Sequence, residues 1–235
     1  MYQEAFYSVS NWYEFDENET RIMKLSWSLV GSSRNEMEAL GVRIYTMIFN
    51  QCPDARRLFP FMKFNGKEKN TTAFQFQALR FVQVLQSAIN NLDNLTSLDS
   101  ILDNLGRRHG KLESSSGFRK CYWTTFLECA IYHLRLTMEK PSKKKQQTMT
   151  PDEIDEAIVL WRILLRNVID RIEIGYEKDI QNRLTSTDTP PTEYKKPPKL
   201  SEYSRSSSMT NKSESITEMM SSLNPFKTRK NSGDK

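Results

Sequence analysis

Apolar residues over roughly the first 180 positions recur three and four apart instead of alternating, and this period predicts helices over about residues 18–178. In the first, about 18–30, Ile22, Leu25, Leu29 and Val30 share a face and Trp27 sits near the middle. A second starts at Ser33, where Ser33 and Glu36 have capping-box spacing, and carries Met37, Leu40, Ile44, Ile48 and Phe49. Pro53 suits the first turn of a short third helix. The stretch from Phe59 to Thr72, aromatic and then polar, reads as a loop. A long helix follows over about 72–91, with Phe74, Ala78, Phe81, Leu85, Ala88 and Leu92 along its stripe. The next runs from Leu98 to about Gly110 and presents Leu98, Ile101, Leu102, Leu105 and then His109, with the Ser114, Ser115, Ser116, Gly117 cluster as its break. Two long helices, about 118–139 and 151–178, complete the set. The second opens on Thr150, Pro151 and Glu153, an N-cap, a first-turn proline and a capping-box acid, and its stripe is Ile154, Ala157, Ile158, Trp161, Leu165, Val168 and Ile172. The single Asn65-Gly66 lies in a polar stretch and not between alternating runs, so the class is all-α. A short proline-opened helix third in line suggests a pocket more than a simple bundle.

Composition changes the picture mainly at the end of the chain. The last 55 residues hold five of the nine prolines and 18 Ser or Thr, with only scattered apolar residues, which is the composition of a disordered tail. Ten Lys or Arg face six Asp or Glu there, leaving 24 against 23 for residues 1–180, so the basic charge belongs to the tail. A folded domain this close to neutral has no concentrated basic face, the nearest being the short run Lys143, Lys144, Lys145, and nucleic acid is not expected as a partner. Cys52, Cys121 and Cys129 are odd in number and lack C-x-x-C spacing, which speaks for free thiols in a reducing compartment and against a zinc site. No run of about 18–20 apolar residues is present to cross a bilayer, and the start Met1-Tyr2-Gln3-Glu4 has no leader pattern, so a cytoplasmic location is expected.

At this level of detail the chain resembles the globin family. The segment from Phe74 to His109 looks like the distal-to-proximal stretch of neuroglobin-like and cytoglobin-like proteins without a gap, and Gly41 to Phe59 is similar to the second and third helices, with Pro53 and Phe59 six apart. Trp27 falls on the usual first-helix tryptophan and Thr150-Pro151 on the usual opening of the last helix. The resemblance covers about 18–178, which divides the chain into an N-terminal extension (1–17), a globin domain of seven to eight helices around a haem pocket (18–178) and a disordered basic tail (179–235). Two departures stand out. About four extra residues lie between His109 and Trp123, leaving open whether Leu112 or Phe118 packs the haem edge, and the loop before the last helix is enlarged by lysines.

The resemblance implies haem b as cofactor and His109 as the proximal iron ligand, with its second ring nitrogen donating to a carbonyl one turn earlier. It places Gln77 at the distal position and Tyr45 at the second-helix position over the iron. Both side chains are donors, suited to a bound oxygen that gains negative charge in a dry pocket. Gln is a poor iron ligand, so an open sixth position is expected. Phe59, Arg80, Phe81, Leu105, Phe126 and Trp161 are the expected pocket walls, Arg80 as partner of a propionate. Each has an ordinary alternative as core or solvated surface; Tyr45 could be plain core aromatic and Gln77 a solvated helix residue. His133 matches no ligating position.

The function expected first is reversible binding of oxygen, for storage, supply or sensing, with nitric oxide as a further gas ligand, and not an enzyme. A redox-active globin, such as a nitric-oxide dioxygenase or a superoxide or electron-transfer signal, needs a reductase that the sequence does not contain. A globin-fold interaction module, its tail meeting a protein or an anionic membrane surface through a phosphorylatable Arg229-Lys230-Asn231-Ser232, is the third class. The aromatic residues Tyr2, Phe6, Tyr7, Trp12, Tyr13 and Phe15 of the extension are expected to pack.

Overall fold

Asp16 accepts a hydrogen bond from the Glu19 amide at 2.8 Å while the Glu19 carboxylate reaches back to the Asp16 amide at 3.0 Å, and this reciprocal cap opens α1 (Glu17–Val30). The computed structural model describes residues 11–59, 72–140 and 148–186. Ser33 caps α2 (Arg34–Gln51) through the Glu36 amide; the Glu36 carboxylate pairs with Ser32 instead of closing the box. Pro53 opens a single 3-10 segment, Pro53–Leu58. Next come α3 (Thr72–Asn90), a second 3-10 turn (Leu95–Leu98), α4 (Asp99–Ser116), α5 (Cys121–Met138) and α6 (Pro151–Ser186). Thr150 and Glu153 form the capping box expected for α6. All regular structure among the described residues is helical.

Two helix boundaries differ from the expectation. α4 does not stop near Gly110 but continues to Ser116, because the hydroxyls of Ser114 and Ser115 bond the Lys111 carbonyl and stay within the helix. It ends at Gly117, whose φ of 75° is left-handed, with Gly117 and Phe118 amides returning to the Glu113 and Leu112 carbonyls. The extra residues between His109 and Trp123 are thus taken up as further helix. α6 runs eight residues past 178, since Asp179 is buried and bonded to Arg183, which also donates to the Gly110 carbonyl of α4 at 2.8 Å. The expected tail beyond 186, the aromatics Tyr2, Phe6 and Tyr7, the polar part of the 59–72 loop and the lysine run lie outside the described residues.

Helices α2 and α3 pack as one wall, α4 and α6 as another, and α1 and α5 close the core around Leu40, Ile44, Val82, Leu134, Leu164 and Leu165. Each wall has a close crossing. A Cβ on Gly41 would stand 2.3 Å from the Ala78 carbonyl oxygen; one on Gly106 would stand 1.9 Å from that of Ile172, and one on Gly175 would stand 2.1 Å from that of Asp103. Backbone meets backbone at these points, so only glycine fits. Near the N-terminus Trp12 is buried, its indole N–H donating to Asp99 at 2.9 Å with the Arg171 guanidinium over its ring.

Gly106→Ala is expected to destabilise the protein by about 1–3 kcal/mol, the usual cost of overpacking, although alanine favours helix by roughly 1 kcal/mol over glycine. Urea unfolding beside Ser100→Ala, at an exposed position of the same helix, measures the difference; equal midpoints would show that the crossing is not tight.

Candidate haem pocket

Tyr45 follows Gly41 by one helical turn and Gln77 directly precedes Ala78, so the α2–α3 crossing brings these two side chains together. They are hydrogen-bonded, and both line one cavity of about 680 Å³ between the two walls. The Tyr45 ring is fixed by edge contacts to Phe59 at 5.3 Å and Phe81 at 5.6 Å and by stacking on Phe49 at 5.7 Å. Burial raises the pKa of its phenol, and the bond from Gln77 offsets only part of that, so the hydroxyl keeps its proton at neutral pH.

On the other wall the Gly106 crossing sets His109, three residues on. Its Nδ1–H donates to the Leu105 carbonyl at 2.8 Å, which directs Nε2 away from the helix backbone. The imidazole packs against Phe118 at 5.0 Å and Trp123 at 6.0 Å, and Phe118 reaches it because the left-handed turn at Gly117 swings the chain back. Burial pushes the His109 pKa down and the Leu105 bond partly restores it, so a neutral ring faces the cavity. His109 and Tyr45 count as half-buried because one edge of each opens onto this space.

Phe59, Phe81, Leu105 and Phe126 also line the cavity, with Leu112 and Phe118 both at its edge. Two expected wall residues lie elsewhere. On α3, Gln77, Phe81, Val84 and Leu85 fall within an arc of about 100°, and Arg80 projects outside it. Trp161 is fully buried against Trp27 of α1 and donates to Ser26 at 2.9 Å. The cations at the cavity are instead Arg107, Arg108 and Lys111, which flank His109. The run Arg107-Arg108-His109-Gly110-Lys111 was the signal for them, readable only once the helix face toward the cavity is known. Tyr122 and Trp123 were likewise missed as lining residues.

The site is an apolar slot of ligand size, with one neutral imidazole on one wall and two neutral polar side chains on the other. Among the described residues no three His, Cys, Asp or Glu side chains gather to hold a bare ion. A metal that carries its own equatorial ligands needs a single imidazole, and that is what the slot offers.

The family model for globins matches residues 42–150. Over that stretch the chain is similar to globins. It is 25% identical over 159 residues to globin-related protein glb-13 of Caenorhabditis elegans, covering 67% of this chain and 51% of that one. Over 99 residues it is 26% identical to neuroglobin of Dissostichus mawsoni, covering 41% of this chain and 60% of that one. The chain therefore spans about half to three fifths of the length of these relatives. Its fold is similar to that of a crystal structure described as a hexacoordinated heme protein from an anhydrobiotic tardigrade, with a TM-score of 0.55 and 20% identity over 69% of this chain and 95% of that one. No helix among the described residues is long and apolar enough to cross a membrane.

Tyr45→Phe keeps the ring and its packing but removes the hydroxyl bonded to Gln77. It is expected to lower the unfolding free energy of the haem-free protein by about 1 kcal/mol, the usual net value of such a bond. Chemical denaturation at pH 7 reads this, and an unchanged midpoint would mean that Gln77 has no need of that partner.

Proposed function

We propose that this chain is a globin that holds haem b through His109 and reversibly binds oxygen on the other side of the pocket, under Tyr45 and Gln77. The observation that carries the reading is the placement of one backbone-oriented neutral imidazole across a cavity from two hydrogen-bonded donors. His109 would hold the bound haem, whose iron would supply the binding of a gas molecule. No C-x-x-C pair is present to attach a porphyrin covalently, which favours haem b over a thioether-linked form.

The chain's own residues do the rest. The Leu105 carbonyl fixes the tautomer and orientation of His109. Phe59, Phe81 and Phe126 exclude water and lower the local dielectric, so that a donor acts more strongly on a ligand that gains negative charge. The Gln77 amide and Tyr45 hydroxyl are those donors, and their mutual bond holds them ready without reorganisation. Arg108 and Lys111, which line the cavity beside His109, would pair the propionates in this reading, a role expected of Arg80 from the sequence.

The name of the tardigrade neighbour raises the alternative of a second protein ligand to the iron. The arrangement of this chain favours an open position. His133, the other histidine, is not among the cavity-lining residues, and the Tyr45 phenol is held protonated, a donor and not a phenolate ligand.

The test is the absorbance spectrum of the recombinant full chain, reduced and then exposed to oxygen. The expected result is a five-coordinate ferrous haem that takes up oxygen and is lost in His109→Ala. In Gln77→Leu, oxygen should leave about 10–100-fold faster, since a hydrogen bond to a charged group contributes about 1.5–3 kcal/mol and each 1.4 kcal/mol is tenfold. A haem-free protein, or a six-coordinate ferrous spectrum, would overturn the proposal.

A further inference from the structure

Behind His109 the aromatic contacts do not stop at the pocket. Trp123 lies 6.0 Å from the imidazole, ring centroid to centroid, and Tyr176 of α6 lies 5.3 Å from Trp123 in an edge-to-face contact; Phe118 touches all three, at 5.0 Å from His109 and Trp123 and 6.0 Å from Tyr176. Trp and Tyr are the aromatic side chains most easily oxidised by one electron. Here they stand in series from the residue that faces the cavity to the outer side of the α4–α6 pair.

Tyr176 is buried, but its surroundings lead outward. Its hydroxyl is hydrogen-bonded to the carboxylate of Glu113, which is exposed, and the Lys120 ammonium lies 5.4 Å from its ring while paired with Glu177. Burial and Glu113 push the phenol pKa up, so it holds its proton at any ordinary pH and can be oxidised only if a base takes that proton with the electron. Glu113 is that base, and Arg183 at 3.4 Å steadies it. Tyr122, the other tyrosine near Phe118, has no such partner: its oxygen accepts from Arg119 at 3.2 Å, a cation that cannot take a proton.

We propose that Trp123 and Tyr176 form an electron path from the pocket to the protein's outer layer, with Glu113 as proton acceptor, by which this chain supplies an electron when hydrogen peroxide is reduced in the pocket. The inference rests on the haem reading above. Reducing one hydrogen peroxide to two waters takes two electrons and two protons. Bound haem, loaded in its ferrous form, would supply one of these electrons. The other leaves Tyr176 through Trp123, its O–H bond breaks, and the proton passes to Glu113 and on to solvent. A neutral tyrosyl radical remains at Tyr176, and solvent supplies protons in the pocket.

The test mixes ferrous, haem-loaded full chain with one equivalent of hydrogen peroxide, freezes the mixture at set times and records electron paramagnetic resonance, with the haem absorbance of the same samples. The expected result is a tyrosyl signal that is lost in Tyr176→Phe, a substitution that keeps the ring, and that persists in Tyr122→Phe. The signal should appear more slowly in Glu113→Gln, which keeps an acceptor but not a base, with haem absorbance unchanged, and more slowly per loaded haem in Trp123→Phe. A signal that survives Tyr176→Phe, or no tyrosyl signal from protein with normal haem absorbance, overturns the path and leaves haem binding intact. Wild-type protein without haem absorbance would overturn the proposed function and the path with it.

Discussion

Backbone-to-backbone contact at two helix crossings sets the geometry on which everything in the pocket depends. At Gly41 against Ala78, and at Gly106 and Gly175 within the α4–α6 pair, no side chain stands between the helices. Helices separated by side chains can slide and re-pack with a change of rotamer; helices in backbone contact have little freedom of that kind. The polar residues of the pocket lie close to these fixed points: Gln77 next to Ala78, His109 three residues and Tyr45 four residues from a crossing glycine. A hydrogen bond loses strength over a few tenths of an ångström, and side chains so near a rigid contact are held within that tolerance.

The pocket then sorts its groups by charge. Inside, Tyr45 and His109 are both kept neutral by burial, although one is an acid and the other a base. A charged form of either would have to be desolvated without a paired ion, and the apolar walls make that costly. Cations appear along α4 beside His109, where Arg107 is paired with Asp103 at 2.8 Å and Asp103 also accepts from Lys178 of α6 at 2.7 Å. The same ion cluster that faces solvent therefore ties α4 to α6 beside the imidazole.

Much of this was legible in the sequence because it depends on local pattern. Helices α1 and α3 begin and end, and α2 begins, within about a residue of where periodicity and capping residues placed them, and the bond from His109 to the carbonyl one turn back is within local reach of a histidine on a helix. What was not legible depends on contacts between distant segments. Ser114 and Ser115 look like breakers until their hydroxyls are seen bonding back to Lys111. The last turns of α6 are polar in sequence and helical in fact because Asp179 and Arg183 meet Gly110, about 70 residues away. Arg80 sits near Gln77 in sequence, but which side of α3 faces the cavity is decided by the Gly41 crossing, and the serial contact of Trp123 with Tyr176 exists only once α5 and α6 are packed.

Trp161 shows how one polar atom can decide between two otherwise equal places for a large side chain. It lies on the same stripe as Leu165, Val168 and Ile172, three residues that do line the cavity. An indole ring would fill such a wall well, but its N–H would then face apolar surface, and a buried donor without an acceptor costs about 1–3 kcal/mol. Ser26 of α1 offers that acceptor at 2.9 Å, and its own hydroxyl donates to the Met23 carbonyl at 2.8 Å, so every polar atom in this part of the core is satisfied. The tryptophan is therefore drawn toward α1 and packs on Trp27, while the purely aliphatic residues one to three turns later are left to the cavity. α6 thereby divides its length: its first turns join α1, its middle lines the pocket, and its last turns hold α4, and with it His109, in place.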